Sequence, residues 1–177
     1  MTPLRFCLPC DPLCRGAAAA EEIGKPRSSA SVCIRQLQTV ADRRAVRILV
    51  DRCRASDPTI AGRFRPAGIA AELTSRAGRK VHAWLAWRAA EVAGSAEQCP
   101  LGMLSLVEAG LGPQCRSSVA WLLVHPEARR QGIATALVRR AAAHVSRRGG
   151  REFFAETLSS WPAAAAFWMG LAADGSG

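Results

Sequence analysis

One segment in the second half of the chain constrains the fold more than any other. Ser118 to Val124 is a nearly continuous apolar run, which is typical of a strand buried on both faces of a sheet. His125-Pro126 ends this strand, because proline lacks the N–H that a ladder needs and restricts the residue before it. An apolar stripe then indicates a helix from about Arg130 to Arg147. A central strand, a short turn and a helix are therefore predicted in direct succession.

The turn between this strand and this helix has the features of an anion site. The first turn of a helix offers backbone N–H groups without helical partners, together with the positive end of the helix dipole. Gly132 and Ala134 add little side-chain bulk there, and Arg129 and Arg130 add positive charge. A helix N-terminus with surface arginines and no ligand stays open as the alternative.

The remaining hydrophobic pattern predicts a mixed α/β fold, with a central, mostly antiparallel sheet flanked by helices. The stretch between residues 56 and 80 is loop-like, with a short helix around Ile69 to Arg76. The other predicted elements, in chain order, are a strand over 31–38, a helix capped by Thr39, an antiparallel strand pair over 81–88 and 101–107, the strand and helix described above, a strand over 152–158 and a helix over 162–173.

The first thirty residues show neither helical nor strand periodicity, so we expect a disordered leader over 1–30 and one folded domain over 31–177. Cys7, Cys10 and Cys14 lie in this leader with a C-x2-C-x3-C spacing that suggests a metal site. No second pair or histidine follows at ligand spacing, so we expect reduced thiols on a flexible tail and no metal. The three histidines, His82, His125 and His144, are likewise expected to be structural or exposed.

The charge and hydropathy of the chain limit its partners. The formal net charge of +10 is spread along the chain without a block of like charges, so a basic surface is favoured over a dedicated nucleic-acid face. Such a surface favours anionic partners, including phosphorylated cofactors. The longest nearly apolar run, Pro162 to Ala173, is shorter than the roughly 20 residues of a membrane span. We therefore expect a cytoplasmic protein with no membrane partner.

The segment after the central strand resembles the GNAT superfamily of acyl-CoA-dependent N-acyltransferases. The fingerprint of that family is Arg/Gln-x-x-Gly-x-Gly/Ala after a strand that ends in Val-x-Pro. Here Val124-His125-Pro126 is followed by Arg129-x-x-Gly132-x-Ala134. The resemblance covers about Ser118 to Ala173, and residues 31–107 only by the order of their elements.

The resemblance implies an N-acetyltransferase that uses acetyl-CoA as donor and a primary amine, on a small molecule or a peptide, as acceptor. In the family a bulge splays the central strand from the next one, the free strand edge pairs with pantetheine, and the N–H groups after it hold the pyrophosphate. The implied coenzyme-binding residues are Leu122, Leu123, Val124, Arg129, Arg130, Gln131, Gly132, Ile133, Ala134 and Thr135.

The same resemblance implies a catalytic base. In relatives that acetylate protein N-terminal amines, the strand after the helix carries the general base at the position of Glu156. A carboxylate there would take the proton of the amine directly or through water. A strand glutamate without a catalytic role is the alternative, and Glu108 is a second candidate base.

Two departures from the family pattern leave other functions open. Trp168 stands where the family has the tyrosine that protonates the leaving thiolate, and the chain contains no tyrosine. The family also continues after its last helix with two strands that help to wall the acceptor site, so we expect a fold that lacks them. A weak or inactive acyl-CoA-binding relative is therefore the alternative function, and a basic nucleic-acid-binding module is less favoured.

Overall fold

The computed structural model describes residues 2–11, 13–14, 32–57, 69, 72–73, 79–88, 99–109 and 116–174. Six strands in these residues form one sheet, and helices pack on both of its faces. The strands are β1 (Pro3–Pro9), β2 (Val32–Gln36), β3 (Arg79–Arg88), β4 (Gly102–Ala109), β5 (Arg116–Val124) and β6 (Glu152–Leu158). The helices are α1 (Val40–Ser56), α2 (Ile133–Arg147) and α3 (Pro162–Asp174).

The strand order across the sheet is β1-β6-β5-β4-β3-β2. All neighbouring strands are antiparallel except β5 and β6, which are parallel. This arrangement confirms the predicted mixed α/β fold with a mostly antiparallel central sheet, including the predicted pairing of β3 with β4. Strand β6 covers the range that the sequence predicted for it, Glu152–Leu158.

Helix α1 begins where Thr39 was predicted to cap it. The Thr39 hydroxyl accepts a hydrogen bond from the Asp42 N–H over 3.1 Å, and the Asp42 carboxylate accepts one from the Thr39 N–H over 2.9 Å. Arg35 adds an ion pair of 2.7 Å to the same carboxylate. Burial alone raises the pKa of Asp42, but these N–H donors and the charge of Arg35 outweigh it and hold the pKa below its usual value.

Helix α2 begins later than predicted, at Ile133 instead of Arg130. Arg130 has φ of +63° and Gly132 has φ of +78°, so the backbone between them is left-handed and does not continue into a right-handed helix. Gly132 then serves as the N-cap of α2. The turn after β5 is therefore a separate, tightly bent segment whose last residue leads into the helix.

The prediction of a disordered leader is wrong for residues 3–9. Strand β1 pairs with β6 along its full length, from Pro3 opposite Leu158 to Pro9 opposite Glu152. Leu8 is completely buried, and its neighbours on the same face alternate with polar residues, as a half-buried strand requires. The prolines obscured this pattern, but they lie at the two ends of an edge strand, where proline is tolerated. Residues 15–31 of the predicted leader lie outside the described residues.

The core consists of two apolar clusters, one on each face of the sheet. On one face, α2 and α3 pack against side chains from β1, β3, β4 and β6. On the other face, α1 packs against the alternate side chains of β3, β4 and β5. The first cluster includes Leu8, Trp84, Leu104, Leu137, Phe153 and Trp168, and the second includes Val46, Leu49, Leu85, Met103 and Leu123.

The place of β1 in the core predicts a specific loss of stability. Leu8→Ala removes a fully buried side chain and is expected to lower the free energy of unfolding by about 2–5 kcal/mol. Leu4→Ala, on the same face of β1 but only half-buried, is the matched control and is expected to cost less. Chemical denaturation of the two variants measures the difference. Wild-type stability in Leu8→Ala would contradict the assignment of β1 to the core.

Candidate active site

The parallel strands β5 and β6 touch over a very short length. Their register pairs only Ser118 with Phe154 and Val119 with Ala155. Beyond Ala155 the two strands separate, so the β6-facing backbone edge of the second half of β5 is not paired with β6. On its other side β6 stays bonded to β1 through all seven residues of that strand. The sheet therefore contains a wedge-shaped opening between two well-anchored halves.

A β-bulge lies on β5 at the point where the wedge opens. Ser105 of β4 pairs with Trp121, but the next residue, Leu106, pairs with Val119, so Ala120 is an extra residue in the ladder. A bulge bends the strand that carries it and increases its local twist. This bend occurs directly after the last β5–β6 pair and turns the end of β5 away from β6. The bulge and the splayed strands that the family resemblance implied are both present.

The N-terminus of α2 lies next to the end of β5, across the short turn at Pro126–Ala128. The first hydrogen bond into α2 runs from the Ala136 N–H to the Gly132 carbonyl, so the N–H groups of Ile133, Ala134 and Thr135 are not used by the helix. A Cβ added at Gly132 would meet none of the described atoms within 4 Å, so there is open space beside this backbone. Free N–H groups, a helix dipole and open space together suit an anion.

The remaining predicted coenzyme residues have different surroundings. Leu123 packs against the α1 cluster, and Leu122 and Val124 pack against the α2 cluster, so these three residues offer mainly backbone groups to the wedge. The side chains of Arg130 and Gln131 are exposed at the turn. The Gln131 amide donates back to the Glu127 carbonyl over 2.8 Å, which stabilises the turn.

Arg129 faces a buried thiol that the sequence did not connect with this site. Cys53, near the end of α1, is buried and its thiol lies 3.5 Å from the Val124 carbonyl, so it ties α1 to the end of β5. Burial raises the pKa of this thiol, and the nearby Arg129 opposes the rise. Part of the positive charge that we assigned to the turn is therefore directed towards α1.

Glu156 is the first residue of β6 after its last pair with β5. Phe153 and Ala155 are buried under α2 and α3, so Glu156, of the opposite parity, faces away from those helices. Its carboxylate is exposed, at 61%, and lies 3.5 Å from Nε of Arg5 on β1. Such an exposed ion pair is weak and breaks easily. Glu156 is thus a solvent-accessible carboxylate at the narrow end of the wedge.

The second candidate base, Glu108, lies on the opposite face of the sheet. Its side chain is 5% exposed and contacts His82, His144 of α2 and Arg148. It is near the end of β4 that is remote from α2's first turn, because Gly102, at the other end of β4, pairs with Val124. Along β4 it is two residues from Leu106, which pairs with Val119 at the narrow end of the wedge, so Glu108 and Glu156 are separated by the sheet itself.

Two other sequence expectations concern residues near β6. Trp168 is buried in the α2–α3 cluster and packs edge-to-face on Phe167, with ring centroids 5.0 Å apart.

Cys7 and Cys10 are not on a flexible tail: the Cys7 thiol donates to Glu152 over 3.0 Å, and Cys10 is buried. The hydrogen bond to Glu152 raises the pKa of Cys7, and burial raises the pKa of Cys10 to about 12. Both thiols therefore stay protonated at neutral pH.

The match to known proteins agrees with this geometry. The family model described as "Acetyltransferase (GNAT) family" matches residues 60–171. The chain belongs to this family. The GNAT match includes β5, the turn with its left-handed residues, α2 and β6, which together form the wedge. No curated protein matches the chain significantly.

Solved GNAT structures share the fold at low sequence identity. A GNAT-family acetyltransferase from Desulfovibrio desulfuricans is 22% identical, with a TM-score of 0.55 over 78% of this chain and 82% of that one. An aminoglycoside acetyltransferase from an uncultured soil metagenomic sample is 22% identical, with a TM-score of 0.57 over 80% and 90%. AAC(6')-Iy, solved with the bisubstrate analogue CoA-S-monomethyl-acetylneamine, is 16% identical, with a TM-score of 0.55 over 80% and 89%.

Sequence reasoning missed two groups of residues that the fold brings together. Arg5 was assigned to the leader, although Leu4, Phe6 and Leu8 alternate with polar residues and gave a signal for a strand. The contact of Glu108 with His82 and His144 had no sequence signal, because it depends on the register of β3 against β4 and on the packing of α2.

None of the described helices has the length and apolar character of a membrane span.

Proposed function

We propose that this GNAT protein is an acetyl-CoA-dependent N-acetyltransferase that transfers the acetyl group to a primary amine by direct attack. The observation that carries the proposal is the wedge between β5 and β6, with the free N–H groups of α2 at one end and Glu156 at the other. The wedge provides a strand edge for a ligand of alternating amides, an anion site and an accessible carboxylate.

The coenzyme would lie along β5. The backbone of Leu122 to Val124 would bond the amides of pantetheine, as an added strand does. The pyrophosphate would lie against the N–H groups of the residues from Arg130 to Thr135, where the helix dipole favours negative charge. Gly132 leaves the space that phosphate oxygens need. This arrangement directs the thioester towards the point where β5 and β6 meet.

Glu156 would act as the general base at that point. An amine reacts with a thioester only when it is neutral, so its ammonium proton must be removed before attack. The carboxylate of Glu156 is accessible for this, directly or through one water molecule, once its weak contact with Arg5 opens. Attack of the amine nitrogen forms the new C–N bond, the nitrogen loses its second proton to water, and the C–S bond breaks to release the thiolate of coenzyme A.

The thiolate would take its proton from water. Trp168 is buried in the core, and an indole N–H is not acidic enough to protonate a thiolate. A thiolate is a good leaving group without assistance, so the reaction is expected to proceed, but more slowly than with a positioned acid. This observation also favours the second candidate function, a GNAT relative that binds acyl-CoA with weak or no catalysis.

The acceptor is expected to be a small molecule or peptide with an accessible primary amine. The exposed carboxylate of Glu156 attracts cationic amines to the narrow end of the wedge. Aminoglycoside acetyltransferases are among the proteins of similar fold, which supports including an aminoglycoside among the acceptors tested. A cytoplasmic location stays a prediction.

Release of free thiol from acetyl-CoA in the presence of an amine panel tests the proposed function. The panel contains an aminoglycoside, a polyamine, an amino acid and a peptide with a free N-terminus. We expect at least one amine to accelerate thiol release, with mass spectrometry showing one added acetyl group. Binding of acetyl-CoA without amine-dependent release would support the non-catalytic alternative, and no binding would contradict both.

The pyrophosphate position predicts a difference between two glycine substitutions, one at each end of α2. Gly132→Glu places a negative charge at the N-terminus of the helix and is expected to weaken acetyl-CoA binding more than tenfold. Gly149→Glu is the matched control, because Gly149 also has a positive φ, of +81°, and open space for a Cβ, but lies beyond the other end of the helix. Calorimetric titration of both folded variants measures the effect. Equal affinities would contradict the site.

The proposed base predicts a selective loss of turnover. Glu156→Gln keeps the size of the side chain but loses its basicity, so kcat at neutral pH is expected to fall by roughly 10²–10⁴-fold with coenzyme affinity unchanged. The loss should shrink at high pH, where more of the amine is already neutral. Glu152→Gln, on the same face of β6 but before the wedge opens, is the control and should keep its turnover. Wild-type kcat for Glu156→Gln between pH 6 and 9 would refute this role.

A further inference from the structure

A second group of titratable residues lies on the face of the sheet opposite Glu156. His82 of β3, Glu108 of β4 and His144 of α2 place one possible ligand atom each within 4.8 Å of one another. His82 Nε2 is 3.2 Å from one oxygen of Glu108, and His144 Nε2 is 3.5 Å from the other. The two imidazole rings lie against each other, with centroids 4.2 Å apart. Three separate elements thus direct nitrogen and oxygen atoms to one point.

The surroundings of these residues hold them in this arrangement. Glu108 is only 5% exposed, and the two histidine side chains are 17% exposed. Trp84 stacks on His82 and packs edge-on against His144, with ring centroids 6.3 and 5.2 Å away. The Nε2 atom of His144 is buried and makes no hydrogen bond to the described residues. A buried, unbonded ring nitrogen that faces a buried carboxylate lacks the partner that such groups usually have.

The distances suit a small divalent cation. In tetrahedral zinc sites, bonds of about 2.0–2.1 Å to nitrogen or oxygen place neighbouring ligand atoms about 3.3 Å apart. The Nε2 atoms of His82 and His144 lie 3.2 and 3.5 Å from the two different oxygens of Glu108, close to this value, and a small rotation of the carboxylate would present one oxygen to both nitrogens. Two histidines and one glutamate form a known ligand set for zinc, with water at the fourth position. Imidazole ligands select zinc, cobalt or nickel over magnesium and calcium, which prefer oxygen.

We propose that His82, Glu108 and His144 form a three-ligand site for Zn²⁺. The cation would bond Nε2 of each histidine and one oxygen of Glu108, and water would complete the tetrahedron. Metal binding requires both histidines in their neutral form and Glu108 in its ionised form.

The bound metal would join the C-terminal half of α2 to β3 and β4. His144 lies in the last turn of α2, whereas the proposed anion site lies at the first. Glu108 lies on the face of the sheet opposite Glu156, and at about 3.4 Å per residue it is roughly 20 Å along β4 from Gly102, which pairs with Val124 at the coenzyme end of β5. The metal would therefore stabilise the fold on the α2 face and not take part in the acyl transfer. The proposed metal site can therefore be tested whether or not the proposed acetyl transfer is correct.

Arg148 is the one charged side chain whose described contacts compete with the metal. Its Nε lies 3.2 Å from the Glu108 oxygen that also faces His144. The side chain is half exposed, so it can move into solvent when a cation binds. Arg148 therefore lowers the affinity of the site without blocking it.

Titration of the purified chain with Co²⁺, in a thiol-free reducing buffer, tests the proposal. Tetrahedral cobalt absorbs in the visible region, and thiolate ligands add a charge-transfer band in the near ultraviolet that histidine and carboxylate ligands do not. At about 100 µM cobalt we expect one equivalent to bind, with the visible band and without the thiolate band. This spectrum separates the proposed site from the cysteines of the chain. No visible band, or one accompanied by the thiolate band, would overturn the proposal.

Variants of single histidines identify the ligands. His144→Gln is expected to weaken cobalt binding at least tenfold, whereas His125→Gln, which changes the histidine next to Pro126, should leave it unchanged. Equal affinity in His144→Gln and wild type would overturn the site. If circular dichroism shows that His144→Gln is unfolded, His82→Gln is measured instead. The stoichiometry and the spectrum of cobalt bound to the wild type test the proposal in either case.

Arg148→Gln is expected to change the cobalt affinity in the direction opposite to His144→Gln. Because it removes the cation that competes for Glu108, it is expected to tighten cobalt binding several-fold. A cluster that only stabilises the fold, through the contacts of Glu108 with Arg148 and the histidines, predicts no cobalt binding in this variant. Zinc is then expected to displace cobalt and abolish the visible band, and failure of zinc to do so would contradict the choice of metal.

Discussion

The parallel contact between β5 and β6 is only two residue pairs long, and the candidate site depends on this limit. A longer parallel ladder would close the sheet and use the backbone groups of β5 that are now open to a ligand. The bulge at Ala120 ends the ladder by bending β5 just where the last pair occurs. The opening is therefore built into the backbone and does not require any side chain to move.

An interrupted sheet needs support on both sides of the interruption. On one side, β4 and β3 pair with β5, and Cys53 ties α1 to the end of that strand. On the other side, β1 pairs with β6 over its whole length, and Leu8 joins the core beneath α2 and α3. Helix α2 spans both halves. The arrangement explains why an N-terminal segment with little apparent pattern forms part of the domain.

The sequence predicted those parts of the fold in which local pattern and tertiary position agree. The strand that ends at Val124 was predicted from its continuous apolar run, and the strand around Glu156 from the phenylalanines at its start. The turn with Gly132 was predicted from the helix that follows it and from the family resemblance. Strand β1 was missed because its prolines suggest a loop when the edge position that accommodates them is unknown. The contact of Glu108 with two histidines was beyond prediction, since no local pattern encodes the register of β3, β4 and α2.

Amide hydrogen exchange with and without acetyl-CoA tests the central claim most directly, because it reports on each backbone segment in the unmodified chain. The account predicts slower exchange in two places on coenzyme binding: the end of β5, Leu122 to Val124, and the first turn of α2, Ile133 to Thr135. Exchange around Gly149, beyond the other end of α2, should stay the same. Protection confined to other segments, with these two unchanged at saturating acetyl-CoA, would contradict the proposed binding site.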